Sequence, residues 1–170
     1  MALGVGLVFL SPVLLLLIPS FVANTIHHTS GSWHVIIPKE GYITYGVAFI
    51  FLCLAPFIVF IYDMKKKSII IALILVFFSG VFFYLASFHF ISIGGKSIMY
   101  REGYFKEEYH YSWDDVKKAE YYEVPRSDGF STYNIFFEDG NTVSLKENGI
   151  VRNYRRAIYA KLSERNIAVE

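Results

Sequence analysis

Two adjacent acid pairs and a histidine are the side chains of this chain best suited to proton transfer. The acids are Glu107-Glu108 and Asp114-Asp115, and His110 lies between the two pairs. A histidine beside a carboxylate can act as a general base. Neighbouring side chains of an extended segment point to opposite faces, however, so Glu107 and Glu108 cannot act on one substrate atom. Because the sequence also has no GxSxG elbow, P-loop or HExxH motif, we predict that the protein is not an enzyme.

Three histidines near the N-terminal end form a second candidate group. His27, His28 and His34 lie in the segment 24–42 beside Trp33, and neutral imidazoles can bind a transition metal. No carboxylate or thiol accompanies them at a useful spacing, and the single cysteine, Cys53, lies inside an apolar run. We therefore predict no metal site and no cofactor. The segment is expected to be a polar, solvated hairpin with Trp33 at the level of the lipid headgroups.

The charged residues divide the chain into two parts. The 170 residues are 54% hydrophobic and only 18% charged. Four of the 16 basic and two of the 15 acidic residues lie in residues 1–91, which leaves 12 and 13 for residues 92–170. This division predicts a membrane region over 1–91 and a water-soluble domain over 92–170. The near-neutral second part also excludes the broad basic surface of a nucleic-acid-binding protein.

Three uncharged segments are long enough to cross a bilayer as helices. They lie at about residues 2–23, 43–62 and 69–91, and each covers the roughly 30 Å of a hydrocarbon core. The first segment could instead be a cleaved signal peptide, although no basic region precedes it. Ionisable groups are absent from the middle of all three segments. This absence argues against a transporter, an ion pathway or a proton relay.

The basic residues beside these segments do not settle which way the chain crosses the membrane. The loop between the second and third segments contains Lys65, Lys66 and Lys67, which favour the cytoplasmic side. The opposite side carries four basic residues close to the membrane, namely Lys39, Lys96, Arg101 and Lys106. The two counts are nearly equal, so both orientations remain open on charge alone.

From residue 92 onward, short alternating segments predict antiparallel strands. Strands are expected near residues 90–93, 97–102, 104–112, 118–124, 132–138 and 141–146. Asp139-Gly140 predicts a hairpin with a primed turn, and Ser112 with Asp115 predicts a capping box at the turn that begins at Trp113. An apolar stripe at spacings of three and four predicts a closing amphipathic helix over about 149–166.

Six residues of the second part are candidates for contact with lipid or with a partner protein. Three arginines share the exposed side of the closing helix, and the others lie near Pro125; the six are Arg152, Arg155, Arg156, Tyr121, Tyr122 and Arg126. Basic residues near a bilayer are attracted to anionic headgroups. The alternative is a solvated helix face that pairs with the acids of the strands, because those acids balance the charge.

The arrangement of strands, closing helix and membrane helices resembles the bacterial PH-like domain families and, distantly, the sublancin immunity protein family. The likeness rests on the strand 98–100, the turn 111–116, the hairpin 133–145 and the helix with Tyr154 and Ile158. Together with the three apolar segments, it predicts an α+β membrane protein in which three transmembrane helices precede a small antiparallel PH-like β domain closed by a C-terminal amphipathic helix.

This resemblance also implies a location and a function. The expected protein is a multi-pass bacterial cell-membrane protein whose C-terminal domain faces the cytoplasm. It is expected to act as a non-enzymatic scaffold or regulator that contacts the bilayer and a protein or the membrane surface. Immunity to a bacteriocin or peptide antibiotic is the alternative. Fold alone does not decide between them.

Overall fold

The computed structural model describes residues 2–125 and 127–169, and it divides them into two compact units. The first unit runs up to His28 and also contains Val35–Ile91 and Arg101–Glu107. The second unit contains Thr29–His34, Ser92–Tyr100 and the chain from Glu108 onward. Each unit is therefore assembled from segments that are separate in the sequence.

The first unit contains three long apolar helices: α1 (Ala2–His27), α2 (Lys39–Ile61) and α3 (Lys66–Ala86). All three are long and apolar enough to cross a membrane, which confirms the number of predicted helices. The predicted bounds were less accurate. α1 continues beyond residue 23, α2 begins before residue 43, and α3 ends before residue 91.

The early end of α3 has a local cause in its hydrogen bonds. The amides of Phe88 and His89 donate to carbonyls three residues earlier, at 3.2 Å each. Such bonds tighten the last turn of a helix and satisfy its final carbonyls. The chain then leaves the helix, and Phe90 and Ile91 enter a strand.

The loop between α1 and α2 differs most from the prediction. We expected a solvated hairpin there, but the loop forms the strand β1 (Ser32–Ile36). β1 belongs to a four-stranded sheet with β2 (Phe90–Gly94), β3 (Ser97–Arg101) and β4 (Tyr109–Ser112), in the order β1-β2-β3-β4. A short strand gains its stability from its neighbours in the sheet, so its own sequence is a weak signal.

The second sheet is an antiparallel meander that leads to the closing helix. Its strands are β5 (Val116–Tyr122), β6 (Thr132–Phe137) and β7 (Thr142–Lys146), in the order β5-β6-β7. The helix is α4 (Gly149–Ser163), slightly shorter than predicted. All six predicted strands are therefore present, but β4 begins at Tyr109 rather than at residue 104.

The core of the second unit follows the predicted alternation of side chains. The buried residues share one face of β6 and β7 and the apolar stripe of α4; they are Tyr133, Ile135, Phe137, Val143, Leu145, Val151, Ile158 and Leu162. The strands are in register, with Ile135 opposite Val143. Alternate residues of the strands face the same side, and so do helix residues three and four positions apart. The apolar side chains of both therefore meet in one hydrophobic core.

Two predicted turns have different outcomes. The capping box is confirmed, because the Ser112 side chain accepts from the backbone and the Asp115 carboxylate accepts from the Ser112 amide at 2.6 Å. The hairpin at Asp139-Gly140 is also present, but its turn type is wrong. Only Gly140 has a positive φ, +89°, and its amide donates to the Phe137 carbonyl at 3.1 Å. This is a three-residue loop with a bulge, since a type I′ turn needs positive φ at both central residues.

Candidate ligand-binding cleft

The second unit contains an open cleft of about 420 Å³ beside the N-terminal end of α4. Its wall is formed by the end of β5, the loop that follows it, the start of β6 and the junction between β7 and α4. Clefts of this size are typical of ligand-binding sites. The lining residues come from two stretches of the chain, 121–131 and 147–155, that the sheet and the helix bring together.

The junction of β7 and α4 is held by two sets of hydrogen bonds. The Asn148 side chain accepts from the amides of Ile150 and Val151 at 3.0 Å each, which caps α4. The Glu147 amide donates to the Ser131 carbonyl at 2.7 Å. These bonds fix the first turn of α4 against the start of β6, so the cleft wall is built on regular elements.

The floor of the cleft is a carboxylate that faces a tyrosine and an arginine. Glu147 has a side chain only 10% exposed, and its Oε2 accepts from the Tyr121 hydroxyl at 2.6 Å. This hydrogen bond raises the pKa of Tyr121. The other oxygen, Oε1, lies 3.6 Å from Nη1 of Arg155. Within the described part of the chain, Oε1 has no hydrogen-bond partner.

Aromatic rings position the Arg155 guanidinium. Its Cζ atom lies 5.5 Å from the centre of the Tyr121 ring and 5.5 Å from that of the Tyr159 ring. A guanidinium between two ring faces gains cation–π stabilisation without losing its hydrogen-bond donors. The Arg155 side chain is still 46% exposed, so its remaining donors can reach a ligand.

The rim adds an apolar surface and a second guanidinium. Phe130 is 61% exposed and lines the cleft, and Arg152 is an exposed lining residue on α4. Glu123 lines the opposite wall. The cleft therefore offers two cationic groups, two carboxylates and an aromatic ring, which together can hold a ligand that both donates and accepts hydrogen bonds.

The structure brings together three of the six predicted contact residues. Tyr121, Arg152 and Arg155 line the cleft. Tyr122 is 58% exposed but is the next residue of the same strand, so its side chain points to the other face. Arg156 is exposed and is not a lining residue, and Arg126 lies outside the described residues.

Sequence reasoning missed three of the cleft residues described above, Glu123, Glu147 and Phe130. Glu147 follows the last residue of β7, where an acidic residue usually faces solvent. Phe130 follows Gly129, whose φ is +137°. A phenylalanine in a polar loop after such a glycine was the available signal, because exposed aromatic residues are enriched in binding surfaces.

The acids and the histidine that were considered for proton transfer take part in local contacts. Asp115 completes the capping box, and Asp114 accepts from Nε of Arg165 on the chain after α4, at 2.6 Å. Glu108 lies 3.0 Å from Nε2 of His110. The Asp114–Arg165 pair is of the kind expected for a basic helix face that pairs with the acids of the strands.

The three histidines of the first loop do not come together as a ligand set. His27 stacks on Phe90 with ring centres 3.7 Å apart, and its Nε2 lies 2.8 Å from the Ser87 carbonyl. His34 lies beside Tyr154 in the second unit. Among residues 2–125 and 127–169, no group of three or more His, Cys, Asp or Glu side chains could hold a metal ion.

Trp33 is part of the second unit rather than a headgroup anchor. Its ring stacks on Tyr154 with centres 5.8 Å apart and lies 6.3 Å from Trp113. The Tyr154 hydroxyl donates to the Trp33 carbonyl at 3.0 Å. The Trp113 indole donates to the Gly94 carbonyl at 2.9 Å. These contacts hold residues 29–34 in the same unit as α4.

Comparisons with known proteins leave the family of this chain open. No protein-family model, no curated protein and no solved structure matches it.

Proposed function

We propose that this protein is a non-enzymatic integral membrane protein whose second unit is a PH-like interaction domain, acting as a scaffold or regulator at the cell membrane. The cleft beside α4 is its binding site. The ligand is a segment of another protein. The observation that carries this proposal is the set of groups that line one cleft, where Arg152, Arg155 and Phe130 occur together with the carboxylates of Glu123 and Glu147.

The charges of the cleft favour a polypeptide over an anionic lipid headgroup. A headgroup phosphate would meet Glu123 and Glu147 as well as the two arginines, and like charges at close range are unfavourable. A polypeptide carries both donors and acceptors along its backbone. Its amide groups can donate to the exposed Glu123 carboxylate, and an acidic side chain or carbonyl can accept from Arg152 and Arg155.

Membrane residence is supported by the three apolar helices and by the position of β1. Two crossings, α2 and α3, separate the loop after α1 from the chain after α3, which places both on the same side of a bilayer. β1, which comes from that loop, shares a sheet with β2 to β4. We propose that this side is the cytoplasm.

Site-specific photo-crosslinking in living cells tests the cleft. A photoreactive amino acid is placed at Phe130 in the full-length chain, and a matched variant carries it at Tyr122, which is also exposed but is not a lining residue. The proposal predicts a discrete protein adduct from position 130 only. Arg155→Ala should abolish that adduct. Arg156→Ala, which removes the same charge from the next position of α4, should leave it intact.

Two results would overturn the proposal. One is an equal adduct from positions 122 and 130. The other is an adduct from position 130 that survives both Arg155→Ala and Arg152→Ala.

A further inference from the structure

The loop between β3 and β4 carries the most exposed large apolar side chain in the second half of the chain. Phe105 is 98% exposed, although phenylalanine is among the residues that most favour burial. It lies in the segment Arg101–Glu107, which belongs to the unit of the membrane-spanning helices. A single exposed ring is ordinary on a protein surface, so its meaning depends on what lies at the same level of that unit.

Side chains of the loop Arg101–Glu107 stabilise the conformation of the backbone around Phe105. Arg101 donates from Nε to the Gly103 carbonyl at 3.2 Å and from Nη2 to the Tyr104 carbonyl at 3.0 Å. Its guanidinium carbon lies 4.4 Å from the centre of the Phe88 ring. Lys106 pairs with Glu102 at 3.0 Å across the same loop. These contacts therefore fix the conformation of the loop that carries Phe105.

Tyr104 attaches this loop to the start of α2. Its hydroxyl lies 2.9 Å from Oγ1 of Thr44, and its ring meets that of His89 edge-on with centres 4.7 Å apart. Thr44 is buried and lies in the second turn of α2, which begins at Lys39. At 1.5 Å per residue, Thr44 is about 7.5 Å along the helix axis from Lys39.

This distance places Tyr104 at the boundary of the hydrocarbon core. α2 is uncharged after Glu40, so its apolar part begins about one turn before Thr44. The Phe105 backbone is one tyrosine side chain and one Cα–Cα step of about 3.8 Å away from the Tyr104 hydroxyl. The neighbouring Ile43 on α2 is 56% exposed, so the apolar outer surface of the helix continues to this level.

We propose that Phe105 inserts into the bilayer interface and that the loop Arg101–Glu107 is a lipid-contacting wedge. Its partner is the boundary between headgroups and acyl chains. A ring at that level is stabilised by burial in lipid, and the ammonium of Lys106 can stay in the headgroup layer while its stem lies along the apolar surface. This inference concerns the first unit and does not depend on the cleft.

Depth-dependent fluorescence quenching tests the wedge. The full-length Cys53→Ser protein with Phe105→Cys is labelled with an environment-sensitive fluorophore and reconstituted in vesicles of neutral phospholipid. The matched controls are Ile43→Cys, an exposed position on α2, and Asp128→Cys, an exposed position in the loop after β5. Quenching is measured with lipids that carry a nitroxide near the headgroup and with aqueous iodide.

The wedge predicts strong quenching by the nitroxide lipid and weak quenching by iodide at position 105, as at position 43. The label at position 128 should show the reverse. If position 105 behaves like position 128, the proposal is wrong. Protection of position 105 from both quenchers would mean that protein rather than lipid covers the ring, which would also overturn it.

Discussion

The helices of the first unit and the sheets of the second expose their apolar side chains in opposite ways. Phe9 in α1 is 77% exposed and Phe77 in α3 is 68% exposed, whereas Ile135 in β6 is 0% exposed. The second unit thus supplies its own apolar surroundings. The helices leave their apolar side chains exposed, on a scale that a water-soluble protein rarely shows.

Polar groups show the same contrast. Between the helices, the buried Ser79 hydroxyl of α3 donates to the Ala48 carbonyl of α2 at 2.9 Å. This single hydrogen bond to a neighbouring helix satisfies the hydroxyl. In the cleft, Glu147, Tyr121 and Arg155 form a connected group with an acceptor left over. The buried polar groups between the helices are thus satisfied locally, whereas the cleft keeps one buried acceptor without a hydrogen bond among the described residues.

The largest expected effect comes from the core of the second unit. Leu145→Ala removes a side chain that is fully buried in β7 and should lower the free energy of unfolding by about 2–5 kcal/mol, through lost burial and a cavity. Both tryptophans, Trp33 and Trp113, lie in the second unit. Their fluorescence during denaturant unfolding in mild detergent therefore reports this unit alone.

The matched control is Phe77→Ala on the exposed surface of α3. Lipid or detergent chains fill the space that the ring leaves. The free energy of unfolding of the helices, followed by circular dichroism, should therefore change by less than about 1 kcal/mol. A loss from Phe77→Ala as large as that from Leu145→Ala would break the distinction between the two units.

A smaller effect is expected from a close backbone contact. A Cβ on Gly94 would collide with the Gly31 carbonyl oxygen, which also accepts from the Gly95 amide at 3.0 Å. Gly94→Ala should therefore push apart β2 and the start of β1 and cost about 1–3 kcal/mol, measured by tryptophan fluorescence.

Gly80→Ala in α3 is the control, because a Cβ there has no atom within 4 Å. Alanine also favours the helix over glycine, so no loss is expected. Equal stability of the Gly94→Ala and wild-type proteins would contradict the close approach of Gly31 and Gly94.

The capping box is expected to contribute about 1 kcal/mol. Ser112→Ala removes the hydroxyl that accepts from the Asp114 amide at 3.1 Å, and loss of an N-cap typically costs this amount. Ser144→Ala removes an exposed hydroxyl of β7 that bonds only the Asn134 side chain and should change stability less. An equal change in both variants, measured by tryptophan fluorescence, would mean that the cap adds nothing.

The smallest expected effect is a pH dependence in the first unit. His89 is buried, and within the described residues its Nδ1 has no hydrogen-bond partner. Burial lowers the pKa of His89, an effect that Glu40 opposes and Arg101 reinforces. The unfolded chain therefore takes up a proton before the folded protein does.

The stability due to neutral His89 is complete above the ordinary histidine pKa of about 6.5 and is lost as the pH falls through the lowered value. The midpoint temperature of helix unfolding can be followed by circular dichroism. Between about pH 7.5 and about pH 5.5 it should decrease more in the wild-type protein than in His89→Gln. Parallel pH profiles would show that His89 titrates normally.

Regular periodicity explains which parts were predictable. The strands β6 and β7 and the helix α4 follow from alternation and from spacings of three and four, because each buries one face. Arg152, Arg155 and Tyr121 were found because exposed arginines and tyrosines are frequent in binding surfaces. Glu147 was not found, because its burial depends on Tyr121 and Arg155, which are distant in the sequence.

The amino-acid sequence by itself determined three apolar helices, a strand-rich second part and a closing amphipathic helix, because apolar content and period are local properties of the chain. Only the tertiary structure decided that the loop after α1 enters a sheet, with Ser92 hydrogen-bonded to Ser32 60 residues away. The same holds for the cleft around Glu147 and for the attachment of Tyr104 to Thr44. The physical reason is that pairing and burial depend on which distant segments meet, and no local pattern encodes that meeting.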